Sequence, residues 1–305
     1  MKKKDGMSRR DFIKTSSVTA VGSTFFLSSC TSLSSGVNAM NAVDHNQTTV
    51  VLIRDQQVLK PSGKPDYEVL LRMMDRAVSE LTGERDALSG WKSLVKPSDR
   101  VGIKTNVWRF LPTPSELEQV LATRIKEAGV ANKQVQIQDR GLYKDPFFRD
   151  ATALINTRPL RTHHWSGVGS LIKNYITFVP KPHELHGDSC ADLATVWKLP
   201  LVNGKTRLNV LVLLTPQFHG KGPHSFNPKW VWNYYGLAVG FDPVAVDTVG
   251  LEVLQKKRHD YFGEERPLNP PAKHILLADT RHHIGVADMN KINLVKIGYQ
   301  KDILI

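Results

Sequence analysis

Residues 152–178 read TALINTRPLRTHHWSGVGSLIKNYITF, and how this stretch is read decides the fold. Residues 152–156 form a short apolar run of strand character, and residues 171–178 continue as an apolar segment with two polar interruptions. Between them lies a polar, cationic loop that carries Arg158, Arg161, His163, His164 and Trp165 ahead of Gly167 and Gly169. Ser170 then stands where a helix N-cap is expected. A loop that leaves a strand and opens a helix through small residues presents backbone N–H groups beside positive side chains. That is the chemistry of an anion site.

Outward from this stretch, strand and helix signals alternate. Residues 49–53, 100–106, 134–138, 208–214, 236–240 and 292–297 read as strands. Residues 67–81 carry apolar side chains at helical spacing, residues 114–128 open with proline at the first helical position, and further helices are expected near 190–196 and over 243–255. Strands alternating with helices, several of them continuously apolar, predict an α/β domain with a mainly parallel sheet covered by helices on both faces. About 260 residues follow position 47, enough for a single domain over 48–305.

In such sheets ligands collect at the carboxyl ends of the strands. Lys104 and Asn106 follow the second strand, Asp139 and Arg140 the third, and the Arg161 to His164 cluster the fourth. The GKGP turn at residues 220–223, flanked by His219 and His224, follows the apolar strand but lacks the spacing of a phosphate loop. Lys173 and Asn174 close the central stretch.

Histidine recurs, as the doublets His163-His164 and His282-His283 and in HELHGD at residues 183–188. Imidazole with carboxylate suits zinc, iron, nickel or manganese, so His183 and His186 are candidate metal ligands, although no spacing matches a named metalloenzyme motif. Cys190 falls where a helix core position is expected. In DPVAVD at residues 242–247, Asp242 caps a helix, Pro243 takes its first position, and Asp247 falls on the second turn, facing either solvent or the site. Trp165, Trp230 and Trp232 line a pocket or fill a core, and residues 230–235 (WVWNYY) are a candidate membrane or partner contact.

The first 29 residues read as a targeting segment. Lysines at 2–4, SRRDFIK at residues 8–14 and a weakly apolar stretch over 18–29 form a twin-arginine signal that is too short to span a membrane. LSSC at residues 27–30 resembles a lipobox, with Cys30 as the lipidated residue and membrane anchor. Residues 30–47 then read as a flexible tether. Periplasmic or envelope-anchored localisation is the expectation. Six cations and two carboxylates within residues 1–29 account for four of the twelve net charges, which leaves +8 on the remainder. That balance suits an anionic small molecule or envelope polymer, and export argues against nucleic acid. With Cys30 acylated only Cys190 remains, so neither an internal disulfide nor a cysteine-ligated iron–sulfur cluster is expected.

The blocks IKTN at 103–106, residues 154–163 and 167–174, GKGP at 220–223, DPVAVD at 242–247 and HIGVAD at 283–288 resemble, in order, those of the DUF362 family. The resemblance runs from about residue 101 to residue 297. It implies an α/β domain of unknown function and, in some relatives, an attached ferredoxin-like cluster region whose cysteines this sequence lacks. Many relatives carry an acidic residue near the end of the strand that is 208–214 here, where this chain has Leu213, Leu214 and Thr215.

Three readings follow. In the first the chain is an exported, lipid-anchored enzyme acting on an anionic small molecule. Lys104, Asn106, Arg161, Lys173 and Asn174 hold the anion with backbone donors from Gly167, Gly169 and Ser170, and His163 or His164 works with Asp139 or Asp247 as an acid–base pair or as metal ligands. In the second it is a non-catalytic accessory protein that handles a metal, oxyanion or cofactor beside a periplasmic redox complex. In the third it is an envelope protein whose basic surface meets anionic polymers. A proton-transfer pair beside the anion site separates the first from the second.

Overall fold

The computed structural model describes residues 48–222 and 226–305. The expected signal, Cys30, the tether, Pro223 and His224 lie outside the described residues. A single sheet carries the fold. Its strands are β1 (Thr48–Arg54), β2 (Val101–Lys104), β3 (Val135–Gln138), β4 (Ala153–His163), β5 (Gly167–Gly169), β6 (Thr206–Gln217), β7 (Gly236–Gly240) and β8 (Ile292–Gly298). They lie in the order β3-β2-β4-β6-β7-β1-β8, with β5 paired to β4 at the side. Pairing is parallel from β3 through β6 and between β1 and β8. β7 runs antiparallel to both of its neighbours, and β5 antiparallel to β4.

Alternation along the strands divides the core. Val51, Ile53, Val101, Ile103, Ile155, Val210 and Val212 face one side, where they meet α1 (Tyr67–Thr82), α2 (Ala87–Leu94) and α3 (Ser115–Glu127). Val50, Leu52, Leu154, Leu160, Leu211 and Leu213 face the other, under α5 (Leu171–Asn174), α7 (Pro243–Phe262) and α8 (Lys273–Thr280). The single turns α4 (Pro146–Arg149) and α6 (Gly187–Cys190) lie on this second side, through Phe148 and Cys190. Each fully buried aliphatic side chain contributes roughly 1.5–3 kcal/mol, so the two layers hold the sheet from both faces. Caps fix the helix starts: Asp66 accepts from the Val69 N–H at 3.1 Å, and Asp242 accepts from Val244 and Ala245 at 2.8 and 3.1 Å.

The largest departure from the expected pattern is β4. The cationic loop expected after residue 156 is strand as far as His163, and every residue of β4 is buried. Parallel pairing with β6 continues to Arg161 opposite Gln217, with a register shift between Pro159 and Arg161. Proline lacks the donor that a continuous ladder needs and is tolerated at such an irregularity. Polar side chains look like loop in isolation, and here the strand persists because its backbone pairs with β6 as far as Arg161 and with β5 from Arg161 to His163. Two smaller differences concern caps and one helix. Pro114 is the N-cap of α3 and not its first helical residue. The helix expected near 190–196 is the kinked turn α6 followed by a 3-10 segment, Leu193–Lys198. Residues 230–235 lie against the body: Trp230 and Trp232 meet Phe218 edge-on at 5.7 Å, and Tyr234 is buried.

Candidate functional site

The carboxyl ends of β2, β3 and β4 meet beneath α5, on the second face of the sheet. In β2, Val101 and Ile103 point into the first core, so Lys104 points the opposite way, where it is fully buried. Its ammonium donates to Asp139 Oδ1 at 2.5 Å, to the Thr105 carbonyl at 2.5 Å and to Asn174 Oδ1 at 3.1 Å. All three donors are used. Burial lowers Lys104 to about 8 against the pull of Asp139. Burial also works to raise Asp139, but the charge and hydrogen bond of Lys104 outweigh it and hold the carboxylate below its ordinary value. Asp139 further accepts from the Val107 N–H at 3.2 Å.

A chain of buried asparagines fixes this corner. Asn174 Nδ2 donates to Asn156 Oδ1 at 2.8 Å and to the Thr157 carbonyl at 3.0 Å. Asn156 Nδ2 donates to Asn209 Oδ1 at 3.1 Å, and Asn209 Nδ2 to the Phe241 carbonyl at 3.0 Å. α5 is thereby tied across β4 and β6 to the end of β7.

Arg158 and Arg161 differ from Lys104. Arg158 is 4% exposed, and its one hydrogen bond among the described residues is a long contact of 3.5 Å from Nη1 to the Ser170 carbonyl. Arg161 is 2% exposed; it donates to Asn106 Oδ1 at 3.0 Å and to the Leu111 carbonyl at 3.4 Å, and lies over the Trp108 ring at 4.5 Å. The Nε of each has no partner among the described residues. Neither arginine forms a salt bridge to a carboxylate among the described residues. Burial pulls Arg158 down to about 10, with Asp139 and Asp247 opposing it, and pulls Arg161 well below its usual value, reinforced by Arg158. Lys173, 3% exposed, points its ammonium at Cys190 Sγ, 3.6 Å away, and is lowered to about 8 by burial first. Burial raises the Cys190 thiol. Two glycines make room for this cluster. A Cβ on Gly169 would stand 2.9 Å from Arg158 Nη2, and one on Gly167 (φ +70°) would stand 2.4 Å from the Pro270 carbonyl oxygen.

The α5 N-terminus, expected to offer donors to an anion, is already occupied. Asp247, from the second turn of α7, accepts from Ser170 Oγ at 2.7 Å and from the Leu171 and Ile172 N–H groups at 2.8 and 2.9 Å. Ser170 keeps the N-cap position of α5, but its hydroxyl serves Asp247 and not the helix backbone. Burial raises Asp247 to about 6 against these donors.

His163, His164 and His186 lie together with Trp165 at the edge of the cation cluster. His163 accepts the Trp165 N–H on Nδ1 at 3.2 Å, which leaves its proton on Nε2. Burial, then Lys173 and Arg158, keeps the ring neutral. It stacks on His164 at 4.7 Å, His164 meets Trp165 at 4.1 Å, and Trp165 meets His186 at 4.1 Å. Burial first and Lys173 second lower His186 to about 4. His183 and His186 share the 3-10 segment Pro182–His186, and no three His, Cys, Asp or Glu side chains among the described residues converge to hold a metal ion.

Lys104, Asn106, Asp139, Arg161, Lys173 and Asn174 therefore gather at one place, while Asp247 with Ser170, and His163 with His164, form its edges. The sequence reading placed Arg158 in the cationic stretch without giving it a role, and passed over Asn156, Asn209 and His274. The signal of Asn156 and Asn209 is polarity inside expected strands, while His274 lies outside every expected element. A separate groove of about 450 Å³, lined in part by Lys64, Leu111, Thr113, Glu116, Pro159 and Thr215, opens on the first face of the sheet and does not include the four buried cations.

Residues 101–252 match the family model described as Domain of unknown function (DUF362). No curated protein and no solved structure matches the chain.

Proposed function

We propose, for a chain that carries a DUF362 domain, that the domain binds an anionic small molecule between Arg158, Arg161 and Lys173, and holds it without converting it. The observation that supports this reading is the incomplete solvation of Arg158. A guanidinium buried to this depth, with one long hydrogen bond and no carboxylate, costs several kcal/mol unless an anion completes its shell. Lys104 is not in that position, because Asp139 neutralises it. Holding without conversion is favoured because the acid–base groups that the sequence offered are engaged: Asp247 caps α5, Asp139 is paired with Lys104, and His163 spends Nδ1 on the Trp165 N–H. Melting the protein with increasing inorganic phosphate at constant ionic strength tests the reading. The transition is expected to rise with phosphate concentration, and a flat response across phosphate, sulfate and small carboxylates would sink it.

We also infer export by the twin-arginine route and lipidation on Cys30, on the strength of SRRDFIK and LSSC, with the protein held at the envelope, where a redox-complex partner is compatible with the accessory role. Intact mass of the protein from membranes is expected to match a chain that begins at an acylated Cys30. An unmodified, full-length N-terminus would refute this.

A further inference from the structure

His274, on the first turn of α8, is fully buried, and neither ring nitrogen has a hydrogen-bond partner among the described residues. An imidazole always carries at least one N–H, and leaving a buried donor unmet costs roughly 1–3 kcal/mol. Such a group beside Arg158 and Arg161, whose Nε atoms are also unmet among the described residues, points to something that completes it.

Its neighbours place it beside the cation cluster. The chain just ahead of α8 presses on β5, since a Cβ on Gly167 would stand 2.9 Å from Ala272 N. The next residue, Lys273, binds Asp188 Oδ1 at 2.6 Å, in the turn that ends at Cys190. Cys190 in turn meets Lys173. His274 thus sits between β5, whose Gly169 borders Arg158, and the turn that carries the partner of Lys173. The positive charges of Lys173 and Arg158 both act on the His274 ring and, after burial, contribute to lowering it to about 3, so it stays neutral.

We propose that His274 completes the anion site from the α8 side, donating an uncharged N–H to the anion that Arg158 and Lys173 hold, and that this anion is a tetrahedral oxyanion, either free phosphate or the phosphoryl group of a monoester. The inference rests on the anion-binding reading above. The class of ligand follows from charge. Arg158, Arg161 and Lys173 bring three positive charges to one place, and none of them forms a salt bridge to a carboxylate among the described residues. A small carboxylate supplies one negative charge, whereas phosphate or a phosphate monoester supplies about 1.5–2 and more acceptor oxygens. A neutral donor also adds a hydrogen bond without adding a further uncompensated charge.

The test is calorimetric titration of the full chain with inorganic phosphate, phenyl phosphate and acetate, comparing wild type with His274→Phe and His274→Asn. Phosphate is expected to bind wild type at least about 10-fold more tightly than acetate, and His274→Phe is expected to lose about 10-fold in phosphate affinity, the value of one good hydrogen bond to an anion. His274→Asn, which keeps an N–H, is expected to recover part of that loss. Phenyl phosphate binding as well as phosphate would identify a monoester as the ligand, and phosphate alone would identify the free ion; both support the proposal. Equal affinity of wild type and His274→Phe for phosphate would overturn the role of His274 while the anion site stood. Acetate binding as tightly as phosphate would overturn the tetrahedral class. Failure of all three anions to bind would remove the underlying reading itself. Should His274→Phe not fold, the ring nitrogens of His274 in the ¹⁵N spectrum of wild type decide. A shift on phosphate addition is expected, and an unmoved signal under saturating phosphate overturns the proposal.

Discussion

Asp247 and Arg158 are buried charges of opposite sign that both meet the N-terminal end of α5, and they are solvated in very different ways. Asp247 receives three short hydrogen bonds from the Ser170 hydroxyl and the first two N–H groups of α5. Arg158 makes one long contact to the Ser170 carbonyl and leaves Nε bare among the described residues. The first charge is finished by the fold and the second is not. The contrast separates structural from functional charge in this domain: a buried ion fully met by its own chain holds the fold together, and one left short of partners is set for a ligand.

Removing the finished charge should do the most damage. Asp247→Ala strips α5 of its cap and leaves Ser170 Oγ and two N–H groups unmet, so a loss of about 3–5 kcal/mol in unfolding free energy is expected. Denaturant melts of the two proteins measure it, and a loss below about 1 kcal/mol would erase the distinction between the two charges. Arg158→Met should behave in the opposite way. Because little in the protein bonds to the guanidinium, the ligand-free variant should stay within about 1 kcal/mol of wild type or exceed it. A drop comparable to that of Asp247→Ala would show that Arg158 is a structural ion.

A smaller effect concerns pH. Lys104 and Lys173 are both lowered to about 8, burial being the first cause in each, from an ordinary value near 10.5. Between pH 8 and 10.5 the unfolded chain therefore binds more protons at these two sites than the folded chain, and their contribution to the stability of the ligand-free protein rises with pH through that window. Anion binding has the opposite sign. It needs the ammonium of Lys173, so phosphate affinity should fall as pH climbs through 8. Titrations at pH 7 and 9 check this, and an affinity that stays level or increases would remove Lys173 from the site.

Much of the fold was legible because its signals are local. Apolar periodicity located α1 and β6, and Asp242-Pro243 announced the start of α7. The reach of β4 was not legible, since Arg158, Arg161 and His163 are polar in sequence and become strand only through pairing with β5 and β6. For the site, Lys104, Asp139, Arg161 and Lys173 could be picked out as polar residues at expected strand or helix ends. Asp247 was assigned to the site's chemistry because its sequence neighbours do not reveal that it caps a helix 76 residues away. His274 escaped notice for a related reason: a lone histidine at a helix start looks like surface until the helix is seen to bury it.

The central claim, that an anion completes the shell of Arg158, is tested most directly by thermal melting of wild type and Arg158→Met with and without inorganic phosphate at fixed ionic strength and pH 7. Wild type should gain about 2.7 kcal/mol at a phosphate concentration 100-fold above its dissociation constant, and Arg158→Met should gain little or nothing. Equal gains in the two proteins, or no gain in either, would contradict the account.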